Sequence, residues 1–551
     1  MGKQTKSIVG GMTVLGLTGI ICKLIGVLYS VPLTWIIGTR GLGVYQAVFP
    51  TYNLLLTISS AGLPVAVSRM VSHYLAKDDP RNAKGVFKSA LWLLAALGMI
   101  CTIGMLACTP MLVGMVNMRE AQSGFIAIAP CVAIVCLLSA FRGFMQGQQN
   151  MVPTAISQLI EQVGKVLISL PCAYIGFQGG LHDAAAQAAA QGLSDDAAAS
   201  LSAALAAAGG ATGALLGITL VEAIALLYMV VLYLRRRSSF DKLPQLGEEE
   251  LMTQKSLAGT LLRISIPITI SACIVPLAQF VDSAMMVSRM VAAGLEMEVA
   301  SRYYGIFSGL VIRLINIPTA LALSISMSLV PAISSAMATG DREAIESQSN
   351  LGLRFAFLIG FPCSIGMSVL AKPILSFFYA ETLTADEMRV ASELLTFSSL
   401  TVVLFTVNQA ATAILQGLRH QKIPMYTLIA GVACKITLNY LLIGTPGIDI
   451  HGGPIASIVC YSVAMIGDLF FVIYYGKIRF NWMGWIIKPG IATAAMGLTV
   501  WGLRELLPIS RLWTIVEIGL GVTVYAIVAL AIKAITKEDL SAFRRKKRKA
   551  A

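Results

Sequence analysis

Two cations interrupt apolar runs of the sequence: Lys23 in TGIICKLIGVLYS and Arg313 in LVIRLINIPTALALS. A charge at the centre of a membrane helix costs about 2.5–3.5 kcal/mol even on the lenient insertion scale. A long basic side chain near a helix end can snorkel to the headgroups, but neither residue is near an end. Both are therefore expected to face an aqueous cavity, where a cation can hold an anionic group by charge-assisted hydrogen bonds. Arg40, in an outside loop, and Arg142, at the inner end of its span, complete the candidate substrate-binding set. Arg142 also fits plain snorkelling. Among the acids, Asp282 lies two helical turns before Arg289, too far for a local pair, and is expected to meet a cation on another helix. Glu222 fits either a coupling-ion site or an interhelical hydrogen bond. Glu161 and Lys165 stand four residues apart, which predicts a self-satisfied pair on one helix.

No catalytic arrangement accompanies them. The sequence holds no HExxH, no GxSxG and no phosphate-binding lysine loop, so no enzyme activity is expected. Its ten cysteines form no CxxC pair and its four histidines are scattered, so neither metal nor disulfide is implied. No cofactor is expected. Energy would come from Na+ or H+ coupling, the membrane potential or the substrate gradient.

The elements that must position these residues are membrane helices. The 551 residues are 56% hydrophobic and only 13% charged, about half the charge of a soluble chain, and mean hydropathy is +0.77. The fold class is all-α and polytopic. Fourteen spans are expected, at about 8–37, 43–75, 85–107, 122–146, 153–176, 211–234, 258–287, 303–335, 351–371, 391–417, 424–444, 452–476, 486–505 and 512–534. The basic start and long first run read as an uncleaved first span. Lysines and arginines concentrate in alternate loops, which selects N-in, C-in by the positive-inside rule. The net charge of +13 thus points to anionic membrane lipids, and nucleic acid is excluded as a partner.

Segments repeat. MQGQQNMVPTAISQLIEQVGKVLI (145–168) resembles LQGLRHQKIPMYTLIAGVACKITL (415–438), with Gln146-Gly147 and Lys165 matching Gln416-Gly417 and Lys435 at an offset of 270. VSHYLAKDDPRNA (71–83) resembles ISSAMATGDREAI (333–345) at an offset of 262. Two parallel six-helix bundles follow, 1–235 and 258–480, joined by a cytoplasmic linker, 236–257. Two further helices (481–537) and a basic cytoplasmic tail (538–551) are appended. The Ala-rich stretch 177–210 is expected to be a solvated outside insertion. Pro32, Pro64, Pro267, Pro276 and Pro318 are expected hinges, since a membrane proline gives up a backbone bond and kinks its helix.

KLIGVLYSVPLTWIIGTRGLGVYQAVFPTYNLLLTISSAGLP (23–64), VSRMVSHYLAKDD and VIRLINIPTALALSISMSLVPAIS (311–334) resemble the stage V sporulation protein B and lipid II flippase branch of the multidrug/oligosaccharidyl-lipid/polysaccharide (MOP) exporter superfamily. The resemblance implies the six-plus-six-plus-two arrangement and a monomeric flippase in the bacterial cytoplasmic membrane, working beside cell-wall synthesis enzymes. Its cargo would be an undecaprenyl-diphosphate-linked saccharide, lipid II or a related cell-wall or polysaccharide precursor, moved by alternating access in vegetative growth or sporulation. Lys23 and Arg313 match the family's basic positions in spans 1 and 8 and are expected to contact the headgroup. Ser30 stands where relatives carry another arginine. The last two helices would line a groove for the lipid tail. Two other readings stay open: a multidrug or organic-cation exporter of the same superfamily, and a non-transporting scaffold in envelope or spore assembly.

Overall fold

The computed structural model describes residues 2–241 and 252–534, with the side chains of 2–17, 20, 23, 24, 27, 237–241, 320, 321, 323, 324 and 327 left outside the described set. The side chain of Lys23, the centre of the expected linker and the basic tail therefore lie outside the described residues. The structure is 90% helical, with no strand among the described residues. Twelve of the described helices are long and apolar enough to cross a membrane. The protein is a multi-pass membrane protein.

Two compact units divide at Gly309/Leu310. The first holds α1 (Gly2–Ser60), α2 (Gly62–Ala76), α3 (Pro80–Ala107), α4 (Thr109–Val116), α5 (Gln122–Gly147), α6 (Val152–Gly164), α7 (Leu170–Gln191), α8 (Asp195–Asp241), α9 (Gln254–Ala292) and α10 (Met297–Tyr304). The second holds α11 (Ile312–Thr339), α12 (Arg342–Val369), α13 (Ala371–Tyr379), α14 (Ala385–Ser398), α15 (Leu400–Gly417), α16 (Ile423–Ile443), α17 (Gly452–Gly476), α18 (Lys488–Leu506) and α19 (Arg511–Ala531). Within α1 the helix breaks at Gly38 (φ 65°, ψ −176°), where the sequence places the turn between spans 1 and 2. Only glycine enters that backbone region without steric cost. Pro32 and the pairs Pro267/Pro276 and Pro318/Pro331 lie inside helices, and Pro64 sits in the first turn of α2.

The internal repeat has a physical content in each unit. Asp79 caps α3, accepting from the Asn82 N–H at 3.0 Å. Asp341, 262 residues on, caps α12 by accepting from the Ala344 N–H at 2.9 Å. A side-chain oxygen here satisfies one of the four N–H groups that a helix start leaves unpaired. Gly147 ends α5 against α2, where a Cβ would lie 2.7 Å from Val71 Cβ. Gly417 ends α15 against α11, where a Cβ would lie 2.8 Å from Ile333 Cβ. The shared motifs are thus a helix cap and a close helix crossing.

The Ala-rich stretch, expected as a solvated outside insertion, is helical and largely exposed between 181 and 204. α8 is a single helix of 47 residues, about 70 Å long at 1.5 Å per residue. Helix α6, a π-helical turn at Lys165–Ser169 and α7 run on as one piece of 40 residues. Both exceed a ~30 Å hydrocarbon core by a wide margin. They pack backbone to backbone: a Cβ on Gly176 would lie 2.2 Å from Gly209 O, one on Gly180 2.2 Å from Leu205 O, and one on Gly213 2.1 Å from Cys172 O. Alanine is the best helix former, and small residues let helices approach this closely. Low complexity of this kind favours a helical hairpin.

In the second unit, α18 and α19 pack on α12. The Tyr525 hydroxyl donates to Leu358 O at 2.8 Å and Arg504 Nη1 to Val369 O at 2.9 Å.

Candidate functional site

The first unit buries a set of charges where α5, α6 and α8 meet. Arg142 on α5 forms an ion pair with Glu161 on α6, and its Nε donates to Ser157 Oγ at 2.9 Å. Glu222 on α8 is buried, with Oε2 lacking any hydrogen-bond partner. Its electrostatic neighbours are Glu161, Lys165 and Arg142. Two acids thus share one low-dielectric space with two bases, an arrangement that limits the cost of burial only while every member is present. The expected Glu161–Lys165 pair is corrected: Glu161 turns to Arg142, 19 residues away on another helix. An interhelical guanidinium can approach a carboxylate in a better geometry than a lysine on the same face.

A second polar seam runs where α1 meets α9 and α10. Gln46 Nε2 donates to Ser308 O at 2.7 Å, and the Tyr304 hydroxyl donates to Gln46 O at 3.0 Å. Asn53 Nδ2 donates to Gln279 Oε1 at 3.3 Å. Asp282 is half-buried on α9 within electrostatic reach of Tyr304. The backbones touch beside these bonds: a Cβ on Gly43 would lie 2.3 Å from Ser301 O, and one on Gly305 2.3 Å from Thr39 O. Arg40 closes one end of the seam, with Nη2 donating to Glu120 Oε1 at 2.6 Å and Nη1 3.1 Å from Glu298 Oε2.

In the second unit Arg313 occupies the first turn of α11, after a π-helical turn at Gly305–Val311. It is half-buried beside the buried Leu310, Val311, Leu314 and Ile315. Deeper in this unit, Asp468 on α17 is fully buried. Thr427 Oγ1 donates to its Oδ1 at 2.6 Å and Thr412 Oγ1 to its Oδ2 at 2.7 Å. The Asn408 amide, turned to donate, reaches Asp468 Oδ2 and Ala464 O at 3.3 Å each. This cluster matches the first unit's charge set by the repeat. Arg142 and Ser157 correspond to Thr412 and Thr427 at the offset of 270, and Glu161 corresponds to Gly431. Each unit buries an acid near these positions, Glu222 on α8 and Asp468 on α17, although the two acids themselves lie 246 residues apart and outside the 270 register. The first unit faces it with an arginine and a second glutamate, the second unit with hydroxyls.

Of the residues singled out in the sequence, Arg142, Glu161, Lys165 and Glu222 come together in one cluster. Arg40 and Asp282 lie on the α1–α10 seam, away from that cluster's partners. Sequence reasoning missed Asp468 and the seam residues. Asp468 carried the signal that flagged Glu222, an acid in an apolar run. Gln46 and Asn53 carried another, polar residues seven apart on one helical face.

Comparison with known proteins gives consistent matches. The polysaccharide biosynthesis protein family matches residues 8–176, and the MatE family matches residues 267–441. The chain is 26% identical over 481 residues to lipid II flippase MurJ of Bacillus subtilis (strain 168), covering 84% of this chain and 82% of that protein. It is 26% identical over 457 residues to stage V sporulation protein B of the same organism, covering 83% and 81%. A solved structure of lipid II flippase MurJ in an inward closed conformation superposes with a TM-score of 0.67 at 13% identity, covering 94% of this chain and 98% of that one. An inward-facing multidrug resistance MATE family transporter of the MOP superfamily gives 0.64 at 16% identity, covering 85% and 98%. At such identities the two structures establish the fold.

Proposed function

Since the chain belongs to the MOP superfamily, with lipid II flippase MurJ and stage V sporulation protein B among its relatives, we propose that it flips a polyprenyl-diphosphate-linked saccharide across the bacterial cytoplasmic membrane by alternating access. The observation that carries this reading is Arg313, a half-buried cation in an apolar helix of a chain 26% identical to a lipid II flippase. A diphosphate offers the charge that such a residue accepts, and a bidentate guanidinium contact adds geometric selectivity. Lys23 is assigned the same role on the first unit. Arg142 and Arg40 already hold glutamates and are assigned to structure first.

The test is complementation of a flippase-depleted bacterium, read with an assay of outward-exposed lipid-linked precursor. Wild type is expected to restore growth and exposure, while Arg313→Ala and Lys23→Ala each lower exposure at least tenfold at equal membrane abundance. Full activity of both variants would sink the headgroup assignment, and growth restored without precursor exposure would favour a scaffold role. The MatE match over 267–441 and the buried acids Glu222 and Asp468 favour a second reading, an exporter of organic cations. Drug resistance conferred without precursor exposure would establish it. In either case Glu222 and Asp468 are the groups we assign to ion coupling, and Asp468→Asn is expected to remove any Na+ or pH dependence of transport.

A further inference from the structure

Where α15 gives way to α16 and α17 to α18, the second unit gathers four cations, Arg419, Lys422, Lys477 and Arg479. All four are exposed, and none has an ion pair among the described residues. The two connections lie side by side. His420 stacks on Tyr475 with ring centroids 4.0 Å apart, and a Cβ on Gly476 would lie 3.6 Å from Leu418 Cδ1. Arg419 stands between Leu418 and His420, and Lys477 follows Gly476, so the two cations flank one contact. Beyond Lys477 the chain is irregular as far as Asn481, and its side chains divide between inside and outside. Ile478 is buried, Arg479 is exposed, Phe480 packs on the buried Trp485 with centroids 4.7 Å apart, and Trp482 is 63% exposed. Asn481 Oδ1 accepts from the Gly484 N–H at 2.8 Å and fixes the turn. Ile478 and Trp485 thus pin the segment at both ends and leave Arg479 and Trp482 on the outside.

Helix ends account for only part of this charge. Arg419 and Lys477 follow α15 and α17 in left-handed backbone, φ 67° and 51°, where the helix dipole favours a cation. Lys422 is the N-cap of α16, where the same dipole disfavours one, and Arg479 belongs to no helix. The acid that touches the surface, Glu346 on α12, accepts from the Arg479 backbone N–H at 3.4 Å and not from its guanidinium. Tyr474 and Tyr475 are exposed beside the cations, as is Trp482. Tryptophan and tyrosine favour the depth of lipid headgroups, and the positive-inside rule assigns this end of the helices to the cytoplasm, whose leaflet carries anionic lipid. We propose that this surface binds the headgroup of an anionic phospholipid of the cytoplasmic leaflet, with the four cations around its phosphate and Trp482 and Tyr474 against its glycerol and upper acyl carbons. The surface uses none of the residues assigned to the cargo, so it holds or fails independently of the transport reading.

The test uses the purified full-length protein in detergent, with thermal unfolding read from tryptophan fluorescence as lipid is titrated in. Dioleoylphosphatidylglycerol is expected to stabilise saturably, beyond the baseline set by dioleoylphosphatidylcholine, which has the same chains and no net charge. Lys422→Gln combined with Arg479→Gln is expected to weaken the apparent affinity for phosphatidylglycerol about tenfold, and Trp482→Ala to weaken it as well. These side chains are exposed, so the variants are expected to melt as wild type in phosphatidylcholine. Arg119→Gln removes an exposed cation of the first unit that has no ion pair among the described residues, and is expected to leave the affinity unchanged. Equal stabilisation by the two lipids, wild-type affinity in the double variant, or an equal loss in Arg119→Gln overturns the proposal. Stabilisation by polyglutamate without any by phosphatidylglycerol overturns it in favour of an acidic protein partner.

Discussion

Removing the guanidinium of Arg142 would leave Glu161 and Glu222 buried together with Lys165 as their remaining neighbour of opposite charge. Breaking a buried pair from one side costs roughly 3–5 kcal/mol, whereas replacing both partners by apolar residues of similar size is often neutral. Arg142→Ala is therefore expected to lower thermal stability sharply in detergent, and Arg142→Met with Glu161→Met to recover most of the loss. Equal melting of the single variant and wild type would mean that the pair contributes nothing. At this scale the sequence was partly legible. Intramembrane charge picked out Glu222 and Arg142, because apolar surroundings make any charge conspicuous. Pairing was not legible, since helix spacing speaks only of neighbours on one helix and the partner of Glu161 lies on α5. Asp468 shows the opposite case, in which the signal was present and the hydroxyls that hold it lie 41 and 56 residues away.

Helices meet in this protein through absent side chains as much as through present ones. Gly147 and Gly417 sit at equivalent crossings, each with a facing Cβ at under 3 Å from where its own would be. Overpacking of a close crossing typically costs about 1–3 kcal/mol. Gly147→Ala and Gly417→Ala are expected to destabilise by similar amounts in that range, while Gly179→Ala, with open space around it, is expected to leave melting unchanged. A large difference between the first two would break the equivalence of the crossings. The repeat was readable in the sequence because a cap and a crossing each demand a particular residue type. The pairing of the Ala-rich stretch into a hairpin was not legible, because composition alone does not distinguish a tract that lacks a core from one whose core is a neighbouring backbone. Gly176, Gly180, Gly209 and Gly213 recur at intervals of four, and that spacing marks a helix–helix seam.

For the whole molecule, composition and hydropathy announced a membrane-spanning helical chain. The repeat announced two related halves. What they left unsaid is that α9 and α10 pack with the first compact unit, because the contact is made by a few scattered polar residues and glycines. Orientation is expected from charge: a cysteine placed at Ala189, near the tip of the α7–α8 hairpin, should react with an impermeant maleimide added to intact cells. Labelling only after permeabilisation would reverse the topology. The hairpin also has a mechanical consequence. Its two helices continue without a break from the crossing of Glu161 and Glu222, and they touch through glycine and alanine, leaving no long side chains to slip past one another. It should therefore move as a stiff pointer fixed at the charge cluster. A tilt of about 10° at that base would swing a tip ~40 Å away by roughly 7 Å, so a spin label at Ala189 would register rearrangements too small to see where they begin.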